Sequence, residues 1–274
     1  MLQKTIGQIL PEAAAKFGDK TALVFNGRNF SFTELNALTN RVANSLRDMG
    51  IGEGDRVTLY AQNSWEWVVS YHAIAKLGAV INPINVMLTP EEVAFVVKDC
   101  GAAALITTAD RAAPILGLKQ ETDLKEIIIF GDESLDGAVL FNDMVRTGDD
   151  AFDTVKIDAG ELSTICYTSG TTGFPKGAML SHRNVVLNSA ITAAMNMRTE
   201  HDVQMTSLPL PHVYGTVVMN LCFLFGLTFV LLERFVATES LEAIQTHKVT
   251  IMDGVPTMYF YMLAEPEFES YDLS

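Results

Sequence analysis

Apolar positions along the chain recur with two alternating periods. After Ser31, the residues Leu35, Leu38, Val42, Leu46 and Met49 follow at steps of three or four, the spacing of one helix face. Ser31 with Glu34 three residues on reads as a capping box, and Gly50 as the C-cap. Residues 56–61 then read as a strand, and a second helix starts near Ser64. A third starts at Thr89-Pro90-Glu91-Glu92, where Thr89 caps, Pro90 takes the first helical position and Glu92 closes the box. Runs rich in β-formers follow at residues 103–107, 126–130, 164–167, 204–208 and 249–252, with helical patterns at 184–195 and 240–247. Near the N-terminus, Ile6, Ile9, Leu10, Ala14 and Phe17 have helical spacing, and Glu12 and Lys16 interrupt any secretory apolar stretch. The longest apolar run, residues 217–232, is short of the ~20 residues a membrane span needs and contains Asn220 and Gly226. It reads as a buried helix, a stop at Gly226 and a buried strand.

Strands alternating with helices predict an α/β fold with mostly parallel sheets covered on both faces. Residues 131–160 are acidic and weakly periodic and read as a surface excursion. Trp65 and Trp67 read as core or interface aromatics, and Glu91 and Glu92 as helix-terminal charges. Gly50-Ile51-Gly52-Glu53-Gly54 follows a helix rather than a strand and has the wrong spacing for a dinucleotide fingerprint, so it reads as a helix end and turn.

Composition narrows the function. Apolar residues make up 49% of the chain, enough for a sizeable core. The formal net charge of −14, with no basic stripe, argues against a general nucleic-acid binder. It also means that any anionic ligand has to be held by a local arrangement of donors. Cys100, Cys166 and Cys222 are odd in number and have no paired spacing, which fits a reducing cytoplasm better than a disulfide framework or a cysteine-rich metal site.

The strongest chemical signal is Tyr167-Thr168-Ser169-Gly170-Thr171-Thr172-Gly173-Phe174-Pro175-Lys176-Gly177, directly after an apolar strand and ahead of a helix expected to be capped by Ser181. Glycines let backbone N–H groups approach a ligand, hydroxyls donate to phosphate oxygens, and Lys176 adds a mobile positive charge. Strand, Gly/Ser/Thr loop and helix N-terminus together predict a polyphosphate site. It is not a Walker loop, because Pro175 precedes the lysine and Gly177 follows it. The bland alternative is a flexible surface loop of accidental composition.

This loop resembles the phosphate-binding motif of the adenylate-forming superfamily, which includes acyl-CoA synthetases, luciferases and the adenylation domains of peptide synthetases. Further stretches resemble that family's motifs in the same order. They are Phe30-Ser31-Phe32-Thr33-Glu34-Leu35, then Ala75-Lys76-Leu77-Gly78-Ala79-Val80-Ile81-Asn82-Pro83-Ile84-Asn85, then Leu208-Pro209-Leu210-Pro211-His212-Val213-Tyr214-Gly215, and finally Gly254-Val255-Pro256-Thr257. By themselves the first reads chiefly as a capping box and the second as a helix end and turn. His72, His201 and His247 read as packed or surface residues, whereas His212, between prolines and a glycine, is read as functional.

The resemblance implies two packed α/β subdomains, residues 1–50 with 201–274 and residues 51–200. It implies activation of a carboxylic acid by ATP to an acyl-adenylate, followed by transfer to coenzyme A. Thr168, Ser169, Gly170, Thr171, Thr172, Gly173 and Lys176 would hold the phosphates, with Thr168 touching Mg²⁺. His212 would contact the acyl substrate or gate its tunnel, and Tyr214, Gly215 and Met219 would help shape the pocket, although core packing explains these three nearly as well. Asn63-Ser64-Trp65-Glu66-Trp67 and Pro83-Ile84-Asn85 are more similar to free-standing acyl-CoA synthetases than to peptide-synthetase modules, and the apolar surroundings of His212 suit a fatty or aryl acid. The family's adenine-binding Tyr-Gly-x-Thr-Glu stretch, its ribose-binding aspartate and its C-terminal lid domain with the adenylation lysine find no match in residues 1–274. The chain is therefore expected to be the N-terminal part of a longer enzyme, and incomplete for turnover by itself. Two other readings remain open: a non-catalytic nucleotide-binding module, and an adenylating enzyme with another acceptor, a carrier protein or oxygen. The sequence does not set the oligomeric state, and a homodimer is compatible with it.

Overall fold

The computed structural model describes residues 3–168 and 175–274. The strands in chain order are β1 (Thr21–Phe25), β2 (Arg28–Ser31), β3 (Arg56–Tyr60), β4 (Val80–Pro83), β5 (Ala102–Thr108), β6 (Glu126–Phe130), β7 (Val139–Leu140), β8 (Leu162–Thr168), β9 (Lys176–Ser181), β10 (Val203–Thr206), β11 (Thr228–Leu231) and β12 (Ile251–Asp253). The helices are α1 (Ile9–Phe17), α2 (Phe32–Asp48), α3 (Trp65–Lys76), α4 (Pro90–Cys100), α5 (Ala109–Ala112), α6 (Leu118–Glu121), α7 (Phe141–Thr147), α8 (His182–Met195), α9 (Val213–Phe225), α10 (Ala237–His247) and α11 (Pro256–Leu263). No helix among the described residues is long and apolar enough to cross a membrane.

The alternation builds a mixed α/β architecture, as the pattern predicts. A five-stranded sheet runs β12-β10-β11-β1-β2 and a seven-stranded sheet runs β7-β6-β5-β3-β4-β8-β9. Neighbouring strands are parallel except in two hairpins, β1–β2 and β8–β9. Strands covered on both faces should read as continuous apolar runs, and β5, with only its last residue not fully buried, does. Helices α1, α2, α3 and α9 share one continuous core with residues of both sheets, including Leu35, Trp67, Phe223, Val57 and Phe229.

Local chemistry sets the element ends. Thr89 and Glu92 close a full capping box on α4, with Pro90 in its first turn. At α2 the box is half made: the Ser31 hydroxyl accepts from the Glu34 amide at 3.0 Å, but the Glu34 carboxylate turns to Arg28 at 2.9 Å. Gly226 ends α9 in the left-handed region (φ 79°), and an added Cβ would lie 2.2 Å from the Phe17 ring. Both the turn and the close approach require glycine there.

Residues 131–160 are not merely a surface excursion. They contain β7 and α7, and the buried Phe141 ring packs on Trp65 and Phe130 at centroid distances of 5.7 and 5.1 Å. The backbone carbonyls of Asp149 and Ala151 accept from Asn44, and that of Asp150 from Asn40, so the segment straps α2. Acidic side chains hide this in the sequence, because the strap holds through its main chain.

The junction between the sheets is closed by Asn63, which follows β3 and is 3% exposed. Its Nδ2 donates to the Leu208 and Leu232 carbonyls, each at 3.0 Å, and its Oδ1 accepts from the Leu210 amide at 2.8 Å. One side chain of the seven-stranded sheet thereby fixes the loops that leave β10 and β11 of the other.

Two histidines are buried. His182 Nδ1 accepts from the Ile6 amide at 3.2 Å, joining the N-terminal turn to α8, and burial lowers its pKa to about 4. His72 lies between the Tyr71 and Phe223 rings, and neither of its nitrogens has a hydrogen-bond partner among the described residues. Burial, reinforced by the Lys76 charge, lowers its pKa to about 3.

Two outcomes are expected. Asn63→Ala should lower unfolding free energy by about 2–4 kcal/mol in denaturant titration, since it strips a partner from three backbone groups at once; a loss below about 0.5 kcal/mol would show that the clamp carries no weight. The second outcome concerns pH. Below about pH 6.5 the unfolded chain protonates His72 while the fold refuses the proton, so stability falls with pH toward 3. His72→Phe should flatten that fall, narrowing the stability difference between pH 7.5 and pH 4.5 by about 2 kcal/mol. Parallel pH–stability curves for the two proteins would contradict this.

Candidate active site

The motif spanning residues 167–177 begins on β8 and ends on β9. Thr168 and Lys176 are paired directly across the hairpin, both exposed. Residues facing one another in such a pair have Cβ atoms about 4.5–5.5 Å apart, so the two side chains leave neighbouring points on one sheet face where the two strands part. Ser169, Gly170, Thr171, Thr172 and Gly173 lie outside the described residues.

One expectation is corrected. The sequence suggested that a helix N-terminus follows the loop, but β9 intervenes and α8 begins only at His182. Ser181 does cap α8, its hydroxyl accepting from the Asn184 amide at 3.2 Å. Six residues of strand carry the chain about 20 Å, so the α8 dipole does not act beside Lys176. Among the described residues of the motif, the positive charge is that of Lys176. Tyr167, the first residue of the motif, is anchored: its hydroxyl donates to Asp99 on α4. Burial, and then that bond, push its pKa up.

His212 is the N-cap of α9. Its amide donates to the Pro209 carbonyl at 3.0 Å, and its Nδ1 accepts from the Tyr214 amide at 3.4 Å. The exposed imidazole borders a cavity of about 150 Å³ shared with Pro83, Asn85, Val86, Tyr167 and Pro211. Three stretches far apart in sequence, around residues 83–86, 167 and 209–212, converge on this one space. Because Nδ1 acts as an acceptor, the neutral ring carries its proton on Nε2, leaving an N–H donor for a ligand.

The remaining predicted pocket residues are placed differently. Tyr214 is half exposed, and its hydroxyl is committed to Asp253 at 3.0 Å. Asp253 in turn holds Arg198 in a bidentate pair at 2.9 and 3.2 Å and accepts from Gln204 at 3.0 Å, so α9, β10, β12 and the chain after α8 meet in one buried network. Gly215 faces the Pro209 carbonyl, 2.3 Å from where a Cβ would stand, so it permits the loop to lie on α9. Met219 is fully buried in the main core and borders neither this cavity nor its neighbour. That neighbour, about 100 Å³, lies beyond Val213 and is lined by Tyr71, Cys166, Leu180, Val185 and Val217 among others. Asp253, Arg198 and Tyr71 carry no local motif, because each acts through partners distant in sequence; Asn63 stands in a stretch already noted for its resemblance, but its clamp too is made through distant partners.

A rival space of about 240 Å³ opens at the carboxyl ends of β3 and β5, where the strand order reverses and open sheets tend to bind ligands. Its charged lining residues are Glu66 and Glu233, with no lysine or arginine, which disfavours a polyphosphate. Burial raises the Glu66 pKa.

Among the described residues no group of three or more His, Cys, Asp or Glu side chains could hold a metal. The exposed Thr168 hydroxyl suits Mg²⁺ arriving with a nucleotide, an ion that keeps most of its ligands as water and phosphate.

Residues 10–274 match the AMP-binding enzyme family. A long-chain-fatty-acid–CoA ligase of Bacillus subtilis (strain 168) is 29% identical over 99% of this chain and 54% of its own length. A crotonobetaine/carnitine–CoA ligase of Salmonella paratyphi A is 31% identical over 96% of this chain and 53% of its own length. The solved structure of the anthranilate CoA ligase AuaEII in complex with anthranoyl-AMP superposes with a TM-score of 0.93 at 29% identity, over 100% of this chain and 54% of that one. The chain thus spans about half the length of the curated relatives it matches. By the match across residues 10–274, together with this agreement in fold, the chain belongs to the AMP-binding enzyme family.

Proposed function

We propose that the protein is an ATP-dependent acid–thiol ligase. The carboxylate oxygen of a fatty or aryl acid forms a bond to the α-phosphorus of ATP as pyrophosphate leaves. The thiol sulfur of coenzyme A then bonds to the acyl carbon as AMP leaves. The observation that carries this reading is the pairing of Thr168 with Lys176 beside the His212 cavity. On a chain of net charge −14, a polyphosphate needs cationic and hydroxyl donors gathered at one point, and this pair supplies both. That relatives matched over nearly the whole chain are named as CoA ligases supports the thiol acceptor.

In this reading Thr168 and Lys176, with Ser169, Gly170, Thr171, Thr172 and Gly173, bind the β- and γ-phosphates and the departing pyrophosphate. His212 directs its Nε2–H at an oxygen of the reacting carboxylate or adenylate, at the cavity that it borders. Mg²⁺, when bound with the nucleotide, supplies further charge neutralisation on the phosphates. Asn63 and the Asp253–Arg198 pair act as positioning residues, since they hold the loop and helix that present His212 and Tyr214. The free thiols Cys100, Cys166 and Cys222 are in keeping with a reaction in the reducing cytoplasm.

Calorimetric titration of Mg·ATP into this chain tests the reading. Lys176→Ala should weaken binding roughly ten- to hundredfold, the effect of losing a charged donor to phosphate. Unchanged affinity in the variant would remove the phosphate assignment.

A further inference from the structure

The 100 Å³ cavity beyond Val213 is enclosed by α3, α8, α9 and the β8–β9 hairpin, and its wall is largely apolar. At one side stands the Tyr71 phenol, 1% exposed. Its oxygen accepts a hydrogen bond from Asn220 Nδ2 at 3.0 Å. The same nitrogen donates to the Thr216 carbonyl at 2.9 Å, which fixes the orientation of the amide. Turning it over would set Asn220 Oδ1 against the carbonyl oxygen, so Asn220 cannot take the phenol proton. No other acceptor among the described residues takes it, and Asn220 Oδ1 is likewise left without a partner.

Several of the other polar groups at the cavity are already engaged, and Asn184 and Asn188, whose side-chain oxygens accept within α8 and its cap, are exposed to solvent. The Thr216 hydroxyl donates to the Val213 carbonyl at 2.7 Å, Thr164 pairs with Ser163 at 3.2 Å, and Asn184 Oδ1 accepts from the Ser181 hydroxyl at 2.9 Å. Burial raises the Tyr71 pKa, so the phenol remains a donor across the physiological range. A buried donor without an acceptor costs stability comparable to a lost hydrogen bond. Its retention beside an enclosed apolar space is explained if a ligand completes it.

We infer that Tyr71 is a specificity-determining residue, and that the cavity accepts a compact acyl group, about one aromatic ring, bearing a hydrogen-bond acceptor such as a hydroxyl oxygen at its far end. This inference rests on the reading of the protein as an acid-activating enzyme and makes this cavity its acyl pocket. Cavities of about 150 Å³ hold a benzene ring. At 100 Å³ the space takes most of a ring whose carboxylate end stays outside, on the His212 side of Val213, and it excludes a long unbranched chain. Leu180, Val185 and Val217 offer a ring only dispersion contacts, and Asn184 and Asn188 are solvent-exposed, so the buried donor left to discriminate between a bare and a hydroxylated ring is the phenol.

Ligand-observed NMR titration of the chain with benzoate, 4-hydroxybenzoate and decanoate tests this, using the wild type and Tyr71→Phe. The wild type should bind 4-hydroxybenzoate about tenfold more tightly than benzoate, with decanoate the weakest of the three. In Tyr71→Phe the preference should fall to about one while benzoate affinity stays within about twofold, and that retained affinity also reports an intact pocket. A preference that survives in the variant, or decanoate binding more tightly than both aromatic acids, would overturn the assignment of Tyr71 and leave the acid-activating reading standing. Absence of binding by all three acids would overturn the acyl assignment of the cavity itself, while the phosphate site is judged separately by its response to Mg·ATP.

Discussion

Two twisted sheets that share one core must join at an edge where backbone polar groups would otherwise be buried without partners, and Asn63 closes that edge. Its amide satisfies the carbonyls of Leu208 and Leu232 and the amide of Leu210, three groups on loops of the opposite sheet. The position of His212 follows from it. The loop held by Asn63 turns at Pro209, packs its carbonyl against Gly215, and delivers His212 to the start of α9, while the Asp253–Arg198 pair anchors Tyr214 two residues on. An apolar side chain at position 63 could fill the space but could not fix the loop.

The second determinant is charge. A chain with net charge −14 repels polyanions everywhere that local donors do not reverse the field. This separates two of the spaces that a nucleotide could enter. The cleft at the strand-order reversal has the favoured topology but is lined by Glu66 and Glu233. The mouth of the β8–β9 hairpin has Thr168 and Lys176 side by side, next to a cavity that already gathers residues from three distant stretches. On the proposed reading electrostatics outweighs topology, because the ligand proposed is a polyphosphate.

The parts of the fold legible in the sequence are those fixed by local chemistry. Thr89-Pro90-Glu92 and Ser181 mark helix starts, Gly226 marks a stop, and β3, β5 and β6 are apolar runs that become buried strands. β9 was not legible: four of its six residues are exposed and Met179 points outward, so no period of two appears. Asn26-Gly27, both with positive φ, forms the β1–β2 turn and was a readable signal that the helical periodicity on either side obscured. For the site, residue types singled out the stretch 167–177 and His212 as candidates. They could not show that Thr168 opposes Lys176, that Tyr214 is held by Asp253, that Met219 belongs to the core, or that Tyr71 reaches the cavity beyond Val213. Those facts depend on which strands pair and which helices cross, and no window of neighbouring residues contains them.

The most direct test of the central claim, a nucleotide held at the hairpin mouth beside His212, is paramagnetic broadening of backbone amide resonances on titrating Mn·ATP into the isotopically labelled chain. Broadening concentrated at Thr168, Lys176 and the residues bordering the His212 cavity is the predicted result. Broadening centred instead on Gln62, Ser64, Thr108 and Glu233 would place the nucleotide in the cleft between the sheets and contradict the account.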